Sequence, residues 1–154
     1  MAVTEGDKAP SFKLATEDGG SISLARLKGH PFVLYFYPKD DTSGCTKEAI
    51  EFSAALKKFE KLGVSILGVS KDSLVSHEKF RKKHKLKIAL GSDPDVETAE
   101  AYGVWGEKTL YGRKYMGIER STVLVSEAGK VAKHWPKVKV AGHAEEVLAA
   151  VQAL

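Results

Sequence analysis

The sequence predicts an α/β fold with a central mixed β-sheet flanked by helices and an N-terminal β-hairpin. Three observations carry this. The runs "PFVLYFY" at 31–37 and "VSILGVS" at 64–70 have strand length and read as strands buried on both faces. Between them Ala49, Phe52, Leu56 and Phe59 recur at helical spacing, so 31–70 forms a strand–helix–strand unit with parallel strands and a right-handed crossover. Further short strands and helices follow to the C-terminus, as in a three-layer α/β sandwich.

In chain order, "FKLATEDGGSISL" (12–24) places two short runs about a Gly-Gly turn and predicts the hairpin. The strand at 31–37 stops at Pro38. A helix over 43–61 sets Glu and Lys opposite its apolar stripe, and Gly63 ends it. The strand at 64–70 leads to a second helix at 73–84. "KIAL" (87–90) is a short strand, and "DPDVETAEAYG" (93–103) a capped helix with Pro94 in its first turn. "RSTVLVSEAGKVAKHW" (120–135) reads as a hairpin about Glu127-Ala128-Gly129, and "HAEEVLAAVQAL" (143–154) as a closing amphipathic helix. A thioredoxin-like topology suits this order, as do other small α/β folds.

The chain has 154 residues, enough for one domain (1–154) to bury a core without disulfides or metals. Hydrophobic residues make up 43% and charged residues 29%, which excludes a disordered chain. No apolar run is long enough to span a bilayer, and no signal peptide is evident at the start. The net charge of +4 is mild, and its one dense cluster, "KFRKKHKLK" (79–87), reads as a solvated helix face plus a loop, so no nucleic-acid partner is expected. The five histidines show no metal-ligand spacing: His77 and His84 share a helix, while His30, His134 and His143 read as loop or edge residues. No cofactor or metal is expected. The single cysteine, Cys45, excludes an intramolecular disulfide and suits a reducing, cytoplasmic setting.

Cys45 falls in "YPKDDTSGCTKEAIEF" (37–52), in the first turn of the predicted helix and on its inward stripe, four residues before Ala49. The unpaired N–H groups there favour a thiolate and can stabilise charge on a bound substrate. A lone intracellular cysteine is also commonly a small buried hydrophobe, and the residues alone leave both readings open. Lys39 and Lys47 are offset by Asp40, Asp41 and Glu48, so strong activation needs a cation from elsewhere. Thr42 can cap the helix or offer its hydroxyl to the thiol or a bound oxygen. Pro38 can end the strand or shield the thiolate.

"YPKDDTSGCTKEA" resembles the peroxiredoxin signature Pro-x-x-x-Thr-x-x-Cys, carried here by Pro38, Thr42 and Cys45. With its flanks it is similar to the bacterioferritin comigratory protein, or PrxQ, subfamily. "GDKAPSF" (6–12), "GVSKDSLVSHEKFRKKH" (68–84) and "GRKYMGIERSTVLVSEAGK" (112–130) extend the resemblance along most of the chain. It implies a thioredoxin fold and thiol-dependent reduction of hydrogen peroxide and organic hydroperoxides. By the resemblance, Cys45 is the peroxidatic cysteine, Thr42 binds the peroxide oxygen, Pro38 dries the pocket, and Arg120 is the distant cation. Tyr37 and Trp105 are weaker candidates for pocket walls, and Glu48 for a partner of Arg120.

Two departures stand out. Ser43 replaces the proline that usually precedes the Gly-Cys pair, and Ser suits a helix start. Many relatives carry a resolving cysteine at the position of Ile50, others near Phe80 and Arg81, and this chain has none there. It therefore resembles a one-cysteine variant whose partners are the peroxide and an external thiol, such as thioredoxin, glutathione with glutaredoxin, or a second subunit's Cys45; a monomer or weak dimer is expected. Two other classes compete. A disulfide reductase needs a second cysteine where Glu48 stands. A redox sensor signalling by mixed disulfide needs only Cys45.

Overall fold

The computed structural model describes residues 2–154. Strands β1 (Lys13–Thr16) and β2 (Ser21–Ser23) form the N-terminal hairpin, and a short helix α1 (Leu24–Leu27) follows, capped by the Ser23 hydroxyl on the Arg26 N–H. Then come β3 (Phe32–Phe36), α2 (Ser43–Lys61), β4 (Ser65–Ser70), α3 (Leu74–His84), β5 (Ala89–Ser92) and α4 (Glu97–Ala101). The C-terminal part runs β6 (Trp105–Leu110), β7 (Arg113–Ile118), β8 (Ser121–Val125), β9 (Val131–Trp135) and α5 (His143–Gln152). No helix among the described residues is long and apolar enough to cross a membrane.

Seven strands form one mixed sheet in the order β2-β1-β5-β4-β3-β8-β9. The strand–helix–strand unit is as expected: β3 and β4 pair in parallel across α2, and β5 adds a third parallel strand. On the other side β8 pairs antiparallel with β3, and β9 with β8. This is a thioredoxin-like sheet flanked by helices. All five β3 residues are buried because both faces are covered. Val33, Tyr35 and Tyr37 face α2, α3 and α5 through Phe52, Phe59, Phe80 and Val147. Phe32, Leu34 and Phe36 face the N-terminal segment and α4, through Phe12, Ala99 and Tyr102.

Helix α2 spans the predicted residues. It stops where Gly63 takes φ +74°, its N–H bonding to Glu60 while Val64 N–H reaches back to Phe59, both at 3.0 Å. Two expectations need correction. Strand β5 starts two residues later than "KIAL", with only Ala89 and Leu90 in common. Pro94 lies before α4, not in its first turn; Val96 adopts φ +53° as N-cap, and the Asp93 carboxylate accepts from the Thr98 and Ala99 N–H groups instead. The hairpin β6–β7 was not expected. Its strands are mostly exposed and form a separate two-stranded sheet, so they carry neither an apolar run nor a clean alternation. Tyr111 and Gly112 turn it, with φ of +50° and +76°.

Candidate active site

The site forms where the β3–α2 loop meets the β7–β8 connection. Asp41, in the left-handed region at φ +59°, reverses the chain after β3, and Thr42 takes extended angles as N-cap of α2. The Thr42 carbonyl accepts the Thr46 N–H at 2.8 Å, the opening bond of the helix. Its hydroxyl does not cap, contrary to one reading of the sequence, but donates to the Lys39 carbonyl at 2.9 Å. Ser43 is the first helical residue.

Cys45 follows in the first turn, on the same buried stripe as Ala49 and Phe52, and is only 1% exposed. Arg120 reaches it from between β7 and β8. The Arg120 carbonyl accepts from Val138 N–H at 2.8 Å, which fixes its backbone from a second segment. Its guanidinium forks: Nη2 donates to Cys45 Sγ at 3.2 Å and Nη1 to Glu48 Oε1 at 2.7 Å. Glu48 is 1% exposed, and its other oxygen, Oε2, has no hydrogen-bond partner among the described residues. Burial pushes the Glu48 carboxyl up to about 7 in spite of the guanidinium beside it. Burial opposes the charge on Arg120, but Cys45 and Glu48 outweigh it and hold the guanidinium above its ordinary value.

Gly44 is what lets the guanidinium lie this close. A Cβ built there stands 3.1 Å from Arg120 Nη2 and 3.7 Å from Cζ. Neither its sequence position beside Cys45 nor its turn-forming character indicates this, because the neighbour that needs the space is Arg120, far along the chain.

The weaker candidates separate. Glu48 joins Arg120 directly. Tyr37 is buried, with its hydroxyl donating to Asp40 Oδ1 at 2.6 Å and its ring against Tyr35 at 5.6 Å. Trp105 packs on the opposite cluster from Cys45, with the Lys71 ammonium 5.7 Å from its ring centroid. Pro38 is half-buried just after Tyr37. His143 corrects the sequence reading of a loop or edge residue. It is 4% exposed at the start of α5, its Nε2 2.7 Å from Thr122 Oγ1, and burial holds its pKa below the usual histidine value.

Such a site can host a thiolate. A guanidinium donates to a sulfur in the first turn of a helix, at a position that the rest of the chain closes to water.

The AhpC/TSA family matches residues 5–134. Peroxiredoxin Bcp of Bacillus subtilis is 45% identical over 148 residues, 96% of this chain and 94% of that protein. Peroxiredoxin Bcp of Xanthomonas campestris is 49% identical over 140 residues, 91% of this chain and 88% of that protein. Among solved structures, the X. campestris bacterioferritin comigratory protein, studied for alkyl peroxide reduction, superposes with a TM-score of 0.90 at 46% identity, over 99% of this chain and 98% of that one. A PrxQ variant from Xylella fastidiosa gives a TM-score of 0.94 at 38% identity, over 99% and 98%.

Proposed function

We propose, from the premise that this chain belongs to the AhpC/TSA family as a Bcp-type peroxiredoxin and thiol-dependent peroxidase, that Cys45 attacks the peroxide and an external thiol recycles it. The observation that carries the residue assignment is the 3.2 Å contact from Arg120 Nη2 to Cys45 Sγ. The cation stabilises the thiolate and lies where negative charge develops on a peroxide oxygen.

The thiolate attacks the terminal peroxide oxygen, the O–O bond breaks, and Cys45 becomes a sulfenic acid while the leaving oxygen takes up a proton as water or alcohol. Arg120 and Thr42 position and polarise the peroxide, with the Thr42 hydroxyl turning from Lys39 to the substrate; Pro38 limits water. The sulfenic acid then reacts with an external thiol to give a mixed disulfide and water. A second thiol releases Cys45 and a disulfide product. Ile50, at the position of a resolving cysteine in many relatives, is 44% exposed on α2 and supplies no sulfur. Thioredoxin, or glutathione with glutaredoxin, is the reductant, and a reducing cytoplasm suits the scheme.

The test is steady-state peroxide consumption with each reductant, alongside mass spectrometry of oxidised Cys45. Catalytic turnover abolished in Cys45→Ser supports the enzyme. A single stoichiometric oxidation with no turnover favours a sensor and sinks the proposal.

A further inference from the structure

A second buried polar cluster lies beneath the loop that carries Thr42. His77 of α3 is fully buried; its Nδ1 is 2.7 Å from Asp40 Oδ2 and its Nε2 is 3.0 Å from the Gly91 carbonyl oxygen on β5. A peptide carbonyl cannot donate a hydrogen bond. The Asp40 carboxylate also accepts from the Tyr37 hydroxyl on Oδ1 at 2.6 Å and from the Ser76 hydroxyl on Oδ2 at 2.8 Å. With Asp40 ionised, both ring nitrogens of His77 face acceptors, an arrangement that an imidazolium with a proton on each nitrogen satisfies.

That cation connects three parts of the fold. Asp40 belongs to the β3–α2 loop, and its N–H also donates to Asp72 Oδ2 at 2.9 Å, on the turn before α3. Next to it Asp41 pairs with Lys83 and His84 at the far end of α3, each at 2.7 Å. The loop that sets the first turn of α2 is thus tied down to α3 and β5. Cys45, at 1% exposure, is closed to a thiol approaching from solvent while this holds. The chain has one cysteine, so the sulfur that reduces it comes from outside, and the turn must yield.

We propose that His77 is a proton-operated latch and a positioning residue for the peroxidase: charged, it holds Asp40 and the Thr42–Cys45 turn closed for attack on peroxide; neutral, it releases that turn to the external thiol. The inference rests on the recycling route proposed above. A neutral ring has one N–H, so deprotonation leaves either Asp40 or Gly91 facing a lone pair, a buried repulsion that the open loop relieves. The groups facing the ring are Asp40 and Tyr37 from the loop, Ser76 on its own helix, Asp72 from the preceding turn and the Gly91 carbonyl from β5. Burial opposes the charge, but Asp40, the Gly91 carbonyl and Asp72 outweigh it and hold His77 above the ordinary histidine value.

The sign follows from linkage. The closed form keeps a proton that an exposed histidine loses at about pH 6.5, so opening rises up to about ten-fold per pH unit above that point. It levels off once His77 deprotonates in the closed form as well.

The experiment follows hydrogen exchange of peptides covering 38–50 by mass spectrometry, from about pH 6 to about pH 8.5, corrected for the intrinsic exchange rate. Wild-type protein is compared with His77→Gln and Asp40→Asn, and nitrogen NMR reports the His77 ring in the wild type. Expected are two protonated ring nitrogens at about pH 6, pH-dependent opening in the wild type, and flat, more frequent opening in both variants. With dithiothreitol as reductant, His77→Gln should also recycle faster but react more slowly with peroxide. A His77 ring with one proton at about pH 6, or wild-type opening indifferent to pH, overturns the latch. Absence of peroxide turnover overturns the recycling scheme instead, and the spectra and exchange still decide the latch.

Discussion

The Arg120 guanidinium lies 3.2 Å from the Cys45 sulfur although the two residues are 75 positions apart. Among the described residues Arg120 is the one cationic donor to the sulfur, and the charges adjacent in sequence nearly cancel. Its second arm is fixed on Glu48 at 2.7 Å, so the guanidinium is held at two points and keeps its plane.

Arg120→Lys should therefore fail despite preserving the charge. A lysine ammonium lacks the fork that spans Cys45 and Glu48. Oxidation of Cys45 by peroxide, followed by stopped-flow fluorescence, should slow by roughly 10²-fold, and Arg120→Gln should be at least as slow. A lysine variant with wild-type rates would show that charge alone suffices and that the bridging geometry is irrelevant.

Gly44→Ala tests the same contact from the other side. The new methyl group meets Nη2 at 3.1 Å, and the guanidinium must give by a few tenths of an ångström from its place against the sulfur. Alanine is the better helix former, so thermal stability should hold or rise, by up to about 1 kcal/mol. Peroxide reactivity should fall several-fold. A variant that is both less stable and fully active would contradict this account of the glycine.

Much of this was legible in the sequence because its signals were local. The stripe Ala49, Phe52, Leu56, Phe59 gave α2 its bounds, and the runs around it gave β3 and β4. Pro38, Thr42 and Cys45 stood within one short motif, and the resemblance supplied Arg120. The hairpin 105–118 was not legible, because solvated strands with Glu, Lys and Arg leave no buried face to mark. His77 was visible only as a helix residue. Its meaning depends on Asp40, 37 positions away, and on a backbone carbonyl that no sequence pattern displays. The space kept by Gly44 was hidden for the same reason.

Thr42→Val separates two roles for the hydroxyl. It makes no capping bond to α2, so its removal should cost less than the about 1 kcal/mol typical of a lost N-cap. If the hydroxyl instead binds peroxide, the rate of Cys45 oxidation should drop by roughly 10²-fold, while Thr42→Ser keeps most of it. Denaturant titration and stopped-flow kinetics on the same preparations distinguish these outcomes. A large loss of stability with unchanged kinetics would assign the hydroxyl to structure alone.

Glu48 predicts an unusual pH dependence of stability. Its carboxyl is raised from 4.5 to about 7 by burial, against the pull of Arg120. The folded protein therefore holds a proton that the unfolded chain has already released. Stability from this group is complete below about pH 4.5 and is lost as pH rises through about 7, the reverse of a carboxylate held down by its ion pair. Glu48→Gln keeps the shape and removes the titration. The difference between wild type and variant should change by on the order of 3 kcal/mol across this window, wild type losing ground as pH rises. Urea midpoints measured from acid to mildly basic pH give that difference directly, and other titrating groups cancel in it. Parallel curves, or a wild type that gains on the variant with rising pH, would mean that Arg120 outweighs burial and that Glu48 is a fixed anion in the folded site.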